Sequence, residues 1–284
     1  LSDVPITAGE QLPAESYRTT LRCAVVDGRA GFRRRQSHAV HVVESCWIAH
    51  PAVREIVEQG RFPGASEVVI RAGSRTGERL VVVTPTVGAS TVPTGVQLVG
   101  ADDLEAGAQV HLHELVARRR FQVSAASFFQ ARPDGAEALV RAVARAISPF
   151  DPMTDRLVDG GVGLFTLALG AQHSIVVERS ASSCADARVN LAPLGSLVDE
   201  VAVERWTPTR ADVVIATKVG FDFDGASETG LNSTPDYMRQ TVDASLQRLG
   251  VEKIDLLYQH PVDPAAPIDD VAATVKELID VGKA

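Results

Sequence analysis

The chain has 284 residues, of which 45% are hydrophobic and 23% are charged, and its formal net charge is −8. This composition is typical of a globular protein with one or two hydrophobic cores, and it excludes the disordered and fibrous classes. No uninterrupted apolar run reaches the roughly 18 residues of a membrane span, so none is predicted. The sequence opens LSDVPITAGE, with no secretory signal and no initiator Met, so we expect an incomplete N-terminus.

The three cysteines, Cys23, Cys46 and Cys184, are far apart in the sequence. An odd, scattered set argues against a disulfide framework and against a zinc or iron–sulfur site. His111 and His113 share a predicted strand face, but no third ligand is near them in the sequence, so no metal site is predicted. A reducing cytoplasm is the expected location.

Lysine is distributed unevenly. Residues 1–217 contain no lysine, and all four lysines lie in the last 67 positions. The net charge also shifts, from −2 over residues 1–217 to −6 over residues 218–284. Such a shift is expected at a domain boundary, and equally at a join between unrelated sequences.

Residues 17–123 alternate short apolar runs with turn residues. The period-2 pattern and the β-branched content predict strands of a mostly antiparallel sheet, interrupted by one helix over Pro51–Gln59. Arginines cluster in this region, and such a cluster on a sheet can bind RNA phosphates. It can also form an ordinary solvated face in a chain segment without lysine. The candidate RNA-binding residues are Arg33, Arg34 and Arg35.

A helix predicted over residues 136–147 leads to the stretch 157–190, on which the functional prediction depends. This stretch predicts a strand, a glycine turn, an apolar helix, a second strand that ends on Glu178, and another helix. Two more strands, over 197–203 and 212–216, continue the α/β alternation.

The glycine turn and the acid after it predict a nucleotide-type site. Glycines allow the backbone to approach a ligand at a helix N-terminus, and an acid at the next strand end can hold ribose hydroxyls. Glu178 follows Gly163 by 15 residues. That spacing is shorter than the ~20 residues usual for dinucleotides, which favours a cofactor such as S-adenosylmethionine over NAD.

Several segments resemble a known family. SFFQ (127–130), GVGLF (161–165) and VERSASSCADARVNLAPLG (177–195) resemble the S-adenosylmethionine-dependent RNA uracil-C5 methyltransferases. GFRRRQSHAVHVVESCWIAHPAV (31–53) is similar to the RNA-facing region of bacterial members, and the resemblance covers about residues 15–216. It implies S-adenosylmethionine as cofactor and RNA, either tRNA or rRNA, as partner. The implied cofactor-binding residues are Gln130, Asp159, Gly161, Gly163 and Glu178.

Two features depart from this family. Three residues separate the strand-end acid from the first motif glycine in the family, whereas here only Gly160 stands between Asp159 and Gly161, which predicts a misplaced turn and weaker cofactor binding. Uracil-C5 methylation also needs a thiolate and a base, which the family carries beyond the fourth strand. No cysteine follows Cys184, and we interpret Cys184 as a helix-packing residue. Phe128 and Phe129 we interpret as core residues.

From about residue 212 the sequence resembles a second family. DVVIATKVGFDF, GLNSTPDYMRQTVDASLQRLG and VEKIDLLYQHPVDPAAPIDDVAATVKELIDVGKA are similar to the aldo-keto reductases, TIM barrels that bind NADPH. The resemblance implies that Lys218 lowers the pKa of a catalytic tyrosine and that His260 orients the substrate carbonyl. The donor tyrosine and its supporting aspartate belong to a part of the barrel outside this segment, so NADP is implied only weakly.

The predicted fold is α/β, with three regions. They are a β-rich RNA-facing region (1–125), a Rossmann-like S-adenosylmethionine domain (126–216) and a reductase-like βαβα segment (217–284). The strand of that last segment, over 253–258, is expected to extend the parallel sheet of the S-adenosylmethionine domain.

The predicted function is that of an RNA uracil-C5 methyltransferase-like protein that is catalytically incomplete. The alternatives are an NADPH-dependent oxidoreductase fragment, a non-catalytic RNA-binding module, and a mis-joined pair of gene fragments.

Overall fold

The computed structural model describes residues 9–34, 37, 39–202, 205–207, 210–215, 217–219, 221–224, 227–249, 252–254, 257–259 and 263–284. Its contacts divide the chain into two compact units, which we call the first unit (10–143) and the second unit (144–284). The domain boundaries predicted after residues 125 and 216 stay predictions. Within the described ranges, no helix has both the length and the apolar character needed to cross a membrane.

A six-stranded sheet forms the centre of the first unit. Neighbouring strands are antiparallel except for the last pair, which is parallel, so the predicted mostly antiparallel sheet is confirmed. In spatial order the strands are β3 (Val40–Val42), β2 (Arg29–Arg33), β1 (Thr20–Val26), β4 (Glu67–Ala72), β5 (Arg79–Thr84) and β6 (Val96–Gly100).

The sequence pattern did not predict β2. Its segment, RAGFR, lacks the alternation of apolar and polar residues that marks a half-buried strand. The Asp27-Gly28 pair before β2 is the sequence signal that could have predicted this strand, because Asp-Gly is typical of two-residue hairpin turns. Such a turn requires positive φ at both residues, and Asp27 and Gly28 have φ of 50° and 70°.

One helix, α1 (Pro51–Gln59), packs on this sheet with the bounds that the sequence predicts. Pro51 occupies the first turn, where its missing N–H costs nothing. Val53, Ile56 and Val57 are spaced at helical intervals and are buried in one hydrophobic core with strand residues of the sheet.

A hairpin completes the first unit. Buried Glu114 joins it to the β4–β5 turn, since its Oε2 accepts hydrogen bonds from Ser74 N (2.7 Å) and Ser74 Oγ (2.9 Å). His111 and His113 lie on the hairpin with ring centroids 5.2 Å apart, and no group of three metal-ligating side chains was found among the described residues. The remaining elements of the unit are α2 (Ala101–Glu105), β7 (His111–Val116), β8 (Arg119–Ser124) and α3 (Pro133–Ala146), whose last residues enter the second unit.

A four-stranded parallel sheet begins the second unit. Val158, Val177 and Trp206 form a buried cluster against it. In spatial order the strands are β11 (Leu197–Glu200), β10 (His173–Glu178), β9 (Arg156–Asp159) and β12 (Val213–Ile215), and the helices between them are α4 (Leu164–Leu169) and α5 (Ala181–Leu191), which a 3₁₀ turn (Ala192–Leu194) follows.

The described residues in the rest of the second unit form two small sheets and two packed helices. Met238 and Val242 of the first helix are buried in one cluster with Leu278 of the second. The elements are β13 (Thr217–Val219), β14 (Phe221–Asp224), β15 (Ser227–Leu231), α6 (Pro235–Leu249), β16 (Leu257–Gln259) and α7 (Ile268–Asp280).

The strand after α6 does not join the four-stranded sheet. Among the described strands, β16 pairs in parallel with β13, with Lys218 opposite Tyr258, and β12 pairs only with β9. The expectation that this segment extends the parallel sheet is therefore wrong. The segment contains its own partner strand, and the crossover through α6 closes a local parallel pair.

Candidate cofactor site

The glycine turn lies at the carboxyl edge of the four-stranded sheet. β9 is an interior strand with buried Leu157 and Val158, and it pairs with β10 on one side and β12 on the other. Gly160 N donates to Ile215 O (2.9 Å), so the chain leaves β9 alongside the end of β12. Gly163 then adopts a left-handed conformation (φ 79°) directly before α4. The site is thus a strand, a turn and a helix N-terminus, as predicted from the pattern.

Asp159, the last residue of β9, holds this turn together. Its side chain is buried, and its Oδ2 accepts hydrogen bonds from Thr166 N and Thr166 Oγ1, both at 3.1 Å. Burial raises the pKa of the Asp159 carboxyl to about 6, against the opposing effect of these hydrogen bonds. The Asp159 side chain therefore joins the strand end to the first turn of α4.

Glu178 ends the neighbouring strand β10. Val176 is the register partner of Asp159, so Glu178 lies two residues further toward the same edge. Its Oε1 accepts a hydrogen bond from Ser180 N (2.8 Å), and the described residues provide no hydrogen-bond donor to its Oε2. A half-buried carboxylate with one free oxygen beside a glycine turn is suited to accept hydrogen bonds from ribose hydroxyls. The residues present therefore fit a nucleoside-type cofactor.

Comparison with known proteins agrees with this geometry. A protein of Streptomyces coelicolor named as an uncharacterized RNA methyltransferase is 34% identical over 221 residues, which are 69% of this chain and 46% of that protein. A protein of Streptomyces avermitilis with the same description is 30% identical over 233 residues, or 73% of this chain and 53% of that protein. This chain spans about half the length of these relatives.

A solved methyltransferase structure has a fold similar to that of this chain. The tRNA (uracil-54, C5)-methyltransferase of Pyrococcus abyssi, in complex with S-adenosyl-L-homocysteine, superposes with a TM-score of 0.54 at 17% sequence identity. The superposition covers 72% of this chain and 60% of that chain. The predicted α/β fold with a methyltransferase-like part is confirmed.

The C-terminal sequence matches another family. The aldo/keto reductase family model matches residues 194–284, beginning earlier than the expected residue 212. The NADP(+)-named aldo-keto reductase yakc of Schizosaccharomyces pombe is 35% identical over 89 residues, or 30% of this chain and 26% of that protein. The chain resembles two families in succession. We call the two segments the methyltransferase-like part and the reductase-like part.

The cysteine of the methyltransferase-like part that follows Glu178 is buried. Cys184 Sγ donates to Glu178 O (3.1 Å), and burial raises the pKa of its thiol. Burial likewise raises the pKa of Cys23 to about 12. Both thiols therefore stay protonated at neutral pH, which agrees with the interpretation of Cys184 as a packing residue.

One further residue implied for the cofactor, Gln130, precedes the second unit in the chain. Gln130 belongs to the first unit, where it lines a small concavity with Thr19 and Arg71. The ring of Phe129 packs 5.4 Å from that of Phe121, as a core residue would. Phe128 is 65% exposed, so its interpretation as a core residue is wrong. Two adjacent residues of an irregular segment point in different directions, and the sequence alone does not indicate which one faces the core.

The implied reductase residues are only partly within the described chain. Lys218 lies on β13, opposite Tyr258 of β16, and His260 is outside the described residues. The RNA-facing candidates Arg33 and Arg34 are exposed, at and just after the end of β2, and Arg35 is outside the described residues. The assignments of Lys218 and His260 stay predictions.

Proposed function

We propose that the methyltransferase-like part binds S-adenosylmethionine and RNA. The single observation that carries the cofactor proposal is the carboxylate of Glu178 beside the glycine turn, since no donor among the described residues reaches its Oε2. In this proposal Glu178 accepts hydrogen bonds from the ribose hydroxyls, Gly161 allows close approach of the cofactor, and Gly163 allows the turn to pack closely before α4. S-adenosylmethionine, when bound, supplies an electrophilic methyl group.

The methyl transfer itself is not expected from this chain. Methylation at C5 of uracil needs a thiolate that adds at C6. Cys23 and Cys184 are buried with raised pKa values, so neither supplies a thiolate at neutral pH. The third cysteine, Cys46, belongs to the first unit, whereas the resemblance places the nucleophile beyond the fourth strand, where this chain has no cysteine. We therefore propose a binding function, and we place the protein in the cytoplasm, where its free cysteines stay reduced.

The RNA proposal rests on the charge of the first unit. Residues 10–143 contain 16 arginines and 14 acidic residues, a net charge of +2, while the rest of the chain carries −10. The guanidinium groups of Arg33 and Arg34 are exposed, and no described side chain pairs with them. Unpaired guanidinium groups are available to RNA phosphates, and the proposed partner is a tRNA or an rRNA.

Replacing Glu178 with alanine is expected to weaken S-adenosylmethionine binding by about 10- to 100-fold, because hydrogen bonds to a charged group are worth about 1.5–3 kcal/mol. Isothermal titration calorimetry of the full chain measures this. Glu200→Ala is the matched control, since Glu200 ends the adjacent strand β11 and is exposed. An equal loss of S-adenosylmethionine affinity in both variants would contradict the proposed site at Glu178. Binding of NADPH without any response to S-adenosylmethionine would favour the oxidoreductase alternative.

The double variant Arg33→Glu, Arg34→Glu is expected to weaken RNA binding and to flatten its salt dependence. Each lost phosphate contact lowers the slope of log affinity against log salt by about 0.7–0.9. The measurement is fluorescence anisotropy with labelled tRNA at several salt concentrations. Arg118→Glu, Arg119→Glu changes the net charge equally at another exposed arginine cluster. If both double variants lose the same affinity, the effect is one of net charge and the Arg33–Arg34 site is wrong.

A further inference from the structure

A concavity of about 680 Å³ lies at the β3 edge of the first unit's sheet. Trp47 lines it, and the Trp47 side chain is 74% exposed. A tryptophan left in water forgoes a large hydrophobic gain, so an exposed one beside a concavity is typical of a surface that a ligand covers. Trp47 is not among the candidate residues that the sequence pattern indicates.

Two strands form one wall of this concavity. Phe32 of β2 and His41 of β3 are register partners, so their side chains project from the same face of the sheet. Phe32 is half-buried and packs against the hydrophobic core, while His41 is exposed. Three aromatic side chains, those of Phe32, His41 and Trp47, therefore line one surface.

The backbone that carries Trp47 is held in place. Trp47 O accepts a hydrogen bond from Ser16 N (2.8 Å), and Ile48 O accepts one from Arg18 N (2.7 Å). The indole ring is therefore presented by an anchored segment. A surface that is already ordered loses less conformational entropy when a ligand binds.

An acidic side chain lines the concavity, and the nearby arginines are not among its lining residues. Glu44 is among the lining residues, so the concavity itself is not a phosphate site. Arg34 is the second residue after Phe32 and is exposed, and its backbone N donates to Ala39 O (2.9 Å), which continues the β2–β3 register. Side chains alternate along a strand, so Arg34 shares the face of Phe32 and His41, whereas Arg33 projects from the other face. Aromatic rings on the same strand face as an exposed guanidinium group, for which the described residues provide no acidic partner, match a nucleic acid strand, whose bases stack and whose phosphates are anionic.

We propose that Trp47 stacks on an unpaired base of a single-stranded RNA segment, and that a phosphate of this segment contacts Arg34. This inference rests on the RNA binding proposed above and adds a preference for unpaired RNA. Duplex RNA keeps its bases stacked inside the helix, so it does not offer a base to Trp47. Because every base has a π-face, little sequence preference is expected.

The test compares Trp47→Ala and Trp47→Phe with the wild-type full chain, using a labelled short oligouridylate and a labelled RNA duplex. Trp47→Ala is expected to weaken binding of the oligouridylate by about 5- to 100-fold, the range of one lost base stack. Trp47→Phe keeps an aromatic surface and is expected to retain most of the affinity. Duplex binding and the salt dependence are expected to stay as in the wild type for both variants.

The outcomes are distinguishable. If Trp47→Ala binds the oligouridylate as tightly as the wild type, and that binding still weakens with salt, the stacking inference is wrong and RNA binding stands. If the wild type shows no salt-dependent affinity for any RNA, both proposals are wrong. If light scattering shows a dimer that Trp47→Ala dissociates, with RNA affinity unchanged, Trp47 is a self-association contact and the stacking inference is overturned.

Discussion

Replacing Gly163 with alanine is expected to lower the free energy of unfolding of the second unit by about 2–4 kcal/mol. Gly163 has φ 79°, and a left-handed conformation costs an L-residue about 1–2 kcal/mol. A Cβ atom there would lie 2.8 Å from Leu191 Cδ1 and 3.4 Å from Val176 Cγ2. Both neighbours are buried, so Leu191 has to change its rotamer within a packed core.

Gly161→Ala is the matched control in the same turn. A Cβ atom on Gly161 would contact only Asp159 Oδ1, at 3.7 Å, which is an ordinary van der Waals distance. Urea denaturation followed by the fluorescence of Trp206 measures both variants, because Trp206 is buried in the second unit and donates to Asp199 Oδ2 (2.7 Å). A Trp47→Phe background removes the other tryptophan of the chain. Equal stability of the two alanine variants would contradict the role assigned to Gly163.

Asp159→Asn is expected to stabilise the second unit at pH 7.5 by about 3 kcal/mol and to leave its stability near pH 4 almost unchanged. The folded-state pKa of Asp159 is raised to about 6, above the ~3.9 of an unfolded chain. The folded state therefore binds the proton more tightly, and ionisation costs stability as the pH rises from about 4 to about 6. Above pH 7 the whole cost is present. Asparagine is neutral at every pH, and its oxygen can accept from Thr166, whereas its amide nitrogen cannot accept the backbone N–H of Phe165.

The same Trp206 fluorescence, in urea titrations at several pH values, measures the difference between variant and wild type. This difference should rise between pH 4 and pH 6 and then level off. Glu200→Gln is the control, since Glu200 is an exposed carboxylate of the same sheet and its difference should stay small at all pH values. A variant less stable than the wild type at pH 7.5 would mean that the hydrogen bonds from Thr166 outweigh the cost of burying the charge.

Much of the local structure follows from short-range pattern. The helix over Pro51–Gln59 is predicted to the residue, because a proline at its first turn and apolar residues at helical spacing act together. The strand–turn–helix around Gly163 is predicted for a similar reason, since a buried apolar strand followed by glycines leaves few other conformations. β2 was missed because its arginine-rich segment has no period-2 pattern.

The candidate site is predictable only in part. The pattern places Asp159 and Glu178 at strand ends, and the structure puts those ends at one edge of the sheet. The sequence pattern does not indicate that Asp159 is buried against Thr166, or that Oε2 of Glu178 has no donor among the described residues. That difference depends on the packing of α4 against β9, which involves residues that no short window compares.

The sequence by itself determined most element types, β2 excepted, and also the glycine turn and the two resemblances, because all of these depend on residues close together in the chain. Only the tertiary structure decided that β16 pairs with β13 and not with β12, that Phe128 is exposed while Phe129 packs on Phe121, and that Trp47 is exposed at a sheet edge. Strand partners and side-chain exposure are set by contacts between distant segments. Their free energies are settled by the whole packing arrangement, not by local propensity.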